Sequence, residues 1–212
     1  MLVSKLYYRT FQFSPVIPLA YALRNFSKLD APQRWFVGYL ASSLVLTIVM
    51  TVLARNGMNT LWLMNLSLPI YAFWILAMFA LWEPVPALRR VMRIAVVVFV
   101  LVWACEVTMS GVLFEFTTFS RPLLNALFIG ASCRTIYEAN KSAEHPLLDQ
   151  PQFWMSAGIL LYYGGMIGVN LASQSLLKSS QDALFSALLI QPALSLAAHL
   201  MYLAGFRTQC RR

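Results

Sequence analysis

Two residues of opposite charge, Glu106 and Arg121, fall inside segments that are otherwise apolar. A charge in hydrocarbon costs roughly 2.5–3.5 kcal/mol at mid-helix on insertion scales, so such residues face a bundle interior and take a partner. Read as helices crossing in opposite directions, their two segments bring Glu106 and Arg121 to one depth below the same surface. Asn125 follows Arg121 by four positions, which puts both on one helix face. Asn65 and Asn170 interrupt two further runs at a similar level. Gln191 sits nearer the midplane beside Pro192, which removes a helical hydrogen bond there. A carboxylate, a guanidinium and primary amides can hold a small polar ligand by charge and hydrogen bonds. They can equally hold helices together, each satisfying another in an apolar setting. The functional expectation is an outward-facing polar pocket with Glu106 and Arg121 as its charged pair and Asn125, Asn65, Asn170 and Gln191 as its amides.

Other reactive types form weaker patterns. His199 and Tyr202 share one segment with Arg207 below them. A buried histidine can relay protons, but a lone one more often packs with its ring nitrogens bonded. Gly130-Ala131-Ser132 together with Ala198-His199 resembles the serine–histidine dyad of rhomboid proteases over only five residues. Cys133 stands where that family has a glycine, and Ser132 falls near the cytoplasmic end of its segment, so no catalytic residue is assigned. There is no HExxH, no paired intramembrane aspartate and no glycine-rich phosphate loop. Cys105, Cys133 and Cys210 show neither CxxC spacing nor a disulfide pattern. The chain is therefore read as a non-enzyme without metal or cofactor. Gly164, Gly165 and Gly168 present small residues for close helix contact, with Gly164 and Gly168 as the packing face or as the seam of a homodimer.

The elements that must position these residues follow from composition. Of 212 residues, 59% are hydrophobic and 11% charged, against roughly 25% charged in soluble domains. So few charges cannot cover an ordinary water-facing surface, and the lipid bilayer becomes the expected surroundings. Six apolar runs stand out: Trp35 to Ala54, Asn59 to Trp82, Val91 to Ser110, Thr117 to Tyr137, Phe153 to Gln174 and Ala183 to Phe206. A span takes ~20 apolar residues, and backbone in lipid must satisfy its own hydrogen bonds, so each run is expected as a helix. Pro15 to Leu29 predicts a shorter helix, with Ser14 as N-cap, Pro15 in the first turn and a short crossing favoured over an interfacial position. Pro15 and Pro18 break the apolar stretch behind Lys5 and Arg9, and no cleavage site follows, so the segment is expected to be retained. The fold class is then all-α: a polytopic membrane helical bundle of seven helices, six of them clear spans, with residues 1–212 forming one domain and no separate soluble domain.

Cations give the orientation. Arg24, Lys28 and Arg34 precede the first run, Arg89, Arg90 and Arg93 open the third, Arg134 and Lys141 follow the fourth, and Arg207, Arg211 and Arg212 end the chain. The intervening loops hold Arg55, Glu115 and Lys178. Rich and poor loops alternate, and the rich ones belong in the cytoplasm. This predicts a multi-pass protein of the cell membrane with its C-terminus inside. The net charge of +8 is accounted for by these loops and forms no stripe for nucleic acid. Two classes remain. One is a sensory or accessory subunit working through a partner on the cytoplasmic side. The alternative is a small-solute transporter or channel subunit, for which the expected paired halves and polar stripe are lacking.

Overall fold

The computed structural model describes residues 13–110, 117, 119–141, 146–179 and 190–211, and for 110 and 168–179 the backbone only. Among these residues every regular element is helical. There are seven α-helices: α1 Val16–Arg24, α2 Ala31–Arg55, α3 Leu61–Trp82, α4 Pro86–Ser110, α5 Ser120–Lys141, α6 Pro151–Ser179 and α7 Ile190–Cys210. Short 3-10 turns cover Phe26–Lys28 and Leu147–Asp149. Among the described residues three helices, α2, α3 and α4, are long and apolar enough to cross a membrane. The remaining runs of the sequence also fold as helices, of 22, 29 and 21 residues. Of these, α5 falls short in apolar character, whereas α6 and the run that contains α7 lie only in part among the residues whose side chains are described. On α5 alone Ser120, Arg121, Asn125, Ser132, Arg134 and Thr135 dilute the apolar residues.

The short N-terminal element departs from expectation. Nine residues of α1 reach about 14 Å at ~1.5 Å per residue, under half a hydrocarbon core of ~30 Å. The helix stops at Asn25, whose side-chain amide donates to the Tyr21 carbonyl at 3.0 Å. The short crossing is thus corrected to a helix too short to cross by itself. Ser14 does not cap it either, because its hydroxyl is turned to His199. The longer helices overrun the apolar stretches. α4 begins at Pro86 and takes in Arg89 and Arg90, because helical backbone needs no outside partner and arginines reach sideways to water.

The chain divides into two compact units, Phe26–Leu127 on one hand, and the residues up to Asn25 with those from Phe128 onward on the other. In the Phe26–Leu127 unit, α2 and α3 run antiparallel. Tyr39 meets Tyr71 with ring centroids 5.3 Å apart, and Trp35 meets Phe73 at 5.3 Å. Gly38 makes this approach possible, since a Cβ there would lie 2.5 Å from the Trp74 ring. Phe36, Leu40, Ile75, Leu76, Met78 and Phe79 fill the space between. Asp30 caps α2, its Oδ1 accepting from the Gln33 N–H at 3.0 Å. At the same end Glu83-Pro84-Val85 turns α3 into α4, and Arg89 donates twice to the Glu83 carbonyl, at 3.2 and 2.9 Å. At the opposite end Gly57, with φ +70°, takes the left-handed turn that closes α2.

In the other unit α6 and α7 run antiparallel. A Cβ on Gly158 would lie 2.5 Å from Tyr202 and 3.1 Å from the Ala198 carbonyl, and Gly165 is packed by Leu194. Gly205 meets Met155, Pro151 and Trp154. The packing face therefore carries Gly158 and Gly165, seven residues apart. Gly164, expected in that role, would meet nothing within 4 Å; Gly168 lies outside the residues whose side chains are described. The hundred-degree step between neighbouring helix positions separates Gly164 from Gly165. Arg134 closes an ion pair with Glu138 at 2.7 Å towards the end of α5.

Candidate functional site

The start of α5 organises the polar residues of the Phe26–Leu127 unit. A helix N-terminus leaves backbone N–H groups without intrahelical acceptors and carries a partial positive charge. Glu106, one turn before the end of α4, brings its carboxylate to that terminus. Oε1 accepts from the Phe119 N–H at 2.9 Å, and Oε2 accepts from the Ser120 N–H at 2.8 Å and from the Ser120 hydroxyl. The half-buried carboxylate thus exchanges water for three donors and a favourable dipole. Arg121, next in the chain, sends Nη2 to the Asn65 side-chain oxygen at 3.4 Å, a long bond to a fully buried amide. Pro69, which cannot donate to the Asn65 carbonyl four residues earlier, opens the α3 ladder at this level. Asn125 is buried one turn further along α5, and Thr117 is buried just ahead of it.

These contacts tie three helices at one point: α4 through Glu106, α5 through Ser120 and Arg121, and α3 through Asn65. The carboxylate of Glu106 is held at the start of α5, and Arg121, the residue after Ser120, reaches from that same start to Asn65 on α3. Of the six residues expected in the site, Asn65, Glu106, Arg121 and Asn125 belong to this unit. Gln191 belongs to the other, where Nε2 donates to the Tyr162 hydroxyl at 3.4 Å. Pro192 stands two residues into the described part of α7, which begins at Ile190. Asn170 stands on the backbone of α6, outside the residues whose side chains are described.

Sequence reasoning missed Ser120. Its signal was present: Ser120-Arg121-Pro122 is a helix-start pattern, with a hydroxyl at the terminus and proline in the first turn. The same reasoning placed Ser14 as a helix cap, whereas its hydroxyl oxygen lies 2.9 Å from His199 Nδ1. Ser195 Oγ lies 3.3 Å from the same nitrogen, and the ring packs edge-on against Tyr202 at 5.5 Å. No local pattern announces a contact between residues 185 positions apart. Ser132 Oγ is enclosed with no hydrogen-bond partner, so Ser132 and His199 form no dyad.

At the other end of the Phe26–Leu127 unit, burial holds the Asp30 carboxyl above its usual range. The Gln33 N–H, the Trp82 indole and the Arg34 charge pull it back in part. Among the described residues no three His, Cys, Asp or Glu side chains come together as metal ligands do. Comparison of the chain with protein-family models, with curated proteins and with solved structures found no match.

Proposed function

We propose that this chain is a multi-pass protein of the cell membrane, crossing six times through α2 to α7, that serves as a sensory or accessory subunit. A polar site built on Asn65, Glu106, Arg121 and Asn125 faces outward and receives a small polar ligand, and a partner on the cytoplasmic side carries the output. The observation that carries this reading is the Glu106–Ser120 and Arg121–Asn65 contact set. Whatever competes for the carboxylate or the guanidinium there shifts the start of α5 relative to α3 and α4. Helix displacement at such a junction is a common switching element.

The distribution of side chains supports a lipid setting. Val91, Ile94, Val98 and Leu101 form an exposed apolar face on α4, as do Val45, Ile48, Val49 and Val52 on α2, while Gln33, Asn65, Asn125 and Ser132 are buried. Large exposed apolar faces are foreign to water-soluble monomers. Within the Phe26–Leu127 unit, Arg34 and Arg89 share one end and the Glu106 site occupies the other, as expected for a cytoplasmic cation-rich end.

Photocrosslinking in native membranes tests the reading. A crosslinker at Lys141 or Arg207 should yield the same discrete protein adduct, and Arg121→Gln should change its yield several-fold at an unchanged level of the chain. Adducts with lipid only, or yields indifferent to Arg121→Gln, would overturn it.

A further inference from the structure

Two serine hydroxyls in the unit beginning at Phe128 stand out, because both are wholly enclosed and neither has a hydrogen-bond partner: Ser132 on α5 and Ser156 on α6. A helical serine ordinarily turns its hydroxyl back to a carbonyl of the preceding turn, and neither of these does. Leaving a hydroxyl unsatisfied inside a protein is costly, and two at one seam need a common explanation.

Their facing follows from the register of α5 against α6. Phe128 packs edge-on against Tyr163 with centroids 4.7 Å apart, and Gln150 Nε2 donates to the Ala139 carbonyl at 3.0 Å. Rising numbers on α5 therefore match falling numbers on α6, and Ser132 comes opposite the turn that holds Ser156. Ser132 is four positions after Phe128, and Ser156 seven before Tyr163, so each shares a helix face with an aromatic of that pair. The two rings set the spacing of the helices above, and the Gln150 side chain spans it below. Between these spacers the seam is lined by small hydroxyl side chains, since buried Thr135 lies three positions beyond Ser132 on the same face. A buried water needs two to four polar partners and about one probe sphere of room.

We propose that the α5–α6 seam is a binding site for a water molecule, bridged between Ser132 and Ser156 with Thr135 as a third partner. In hydrocarbon surroundings it serves as a polar joint between the helices. Ser156 is five residues from the start of α6, so the site lies within two turns of the helix end and water has a short way in.

The chain in lipid bilayers gives a direct test. Water-edited solid-state NMR should transfer magnetisation from water to the Ser132 and Ser156 Cβ signals at short mixing times, while Ser67, which bonds the Met64 carbonyl, stays dark. In a thermal-stability cycle, Ser132→Ala and Ser156→Ala should be non-additive by several degrees, because either one alone removes the shared guest. The cycle cancels the separate gain in helix propensity that alanine brings. Additive shifts overturn the proposal. So do coupled shifts with both serines dark to water, the signature of a direct hydroxyl–hydroxyl bond.

Discussion

Asp30 must keep an oxygen on the Gln33 N–H while burial works against its charge. Because the folded carboxyl titrates above the usual value of 3.8, the folded chain holds the proton more tightly than the unfolded one. Its contribution to stability therefore falls as pH rises through the window that opens near 3.8, and the penalty is full above it. Asn caps a helix about as well as Asp but carries no charge. Asp30→Asn should leave the cap intact, and its melting-temperature advantage over the native chain should grow from pH 4 to pH 6. Asp30→Ala should follow the same pH trend about 1 kcal/mol below Asp30→Asn, because it lacks the cap; an advantage of Asp30→Asn that shrinks with pH would contradict the burial argument. Glu106 permits a parallel test. Since its carboxylate is held by Ser120, a double-mutant cycle of Glu106→Gln with Ser120→Ala should show about 1 kcal/mol of coupling, and additivity would mean the contact contributes nothing. The sequence showed that Glu106 and Arg121 share a depth, because depth follows from residue count along a span. Which atoms meet depended on the side-chain reach of Ser120 and Asn65, which no spacing encodes.

Helix pairing depends on phase, and glycines report it. A four-residue glycine spacing marked Gly164 and Gly168 as the contact face, yet the close approach to α7 uses Gly158 and Gly165. The neighbouring Gly164 and Gly165 leave the phase undetermined from sequence, and the heptad from Gly158 was hidden because Ala157 and Gly164 repeat it one position away. Gly158→Ala should drive a methyl into Tyr202 and the Ala198 carbonyl, costing about 1–3 kcal/mol through overpacking. Gly164→Ala has open space and should be neutral or stabilising by up to ~1 kcal/mol of helix propensity. Thermal unfolding of both variants in the same detergent checks the ranking. An equal loss for the two would mean that Gly164 is covered in the working assembly, as a homodimer seam requires.

Across the described residues, length and apolar content made the helices legible, since each of the six runs contains a helix; the start of the sixth, before Ile190, lies outside the described residues. Among the described residues α2 to α4 qualify as spans on length and apolar character, α5 carries polar residues on a buried face, and α6 and the run that contains α7 are described only in part. Average apolarity undervalues a helix such as α5, because Asn125, Ser132 and Thr135 are buried and add little polar surface. The two possibilities predict different sides for the second half of the chain. With six crossings, reporter fusions after Arg93, Lys141 and Arg212 should all read cytoplasm, and those at Gly57, Glu115 and Lys178 the outside. With only α2 to α4 crossing, everything beyond α4 stays on one side, so Lys141, Lys178 and Arg212 would all report with Glu115. Lys141 is the deciding position. It follows Arg134 on α5, and the cation pair should hold that end in the cytoplasm with the orientation strength usual for short loops. Replacing Arg134 and Lys141 by Gln should then weaken the cytoplasmic signal at Lys141 without moving that at Arg93. An outside signal at Lys141 in the native chain would reduce the bundle to three crossing helices.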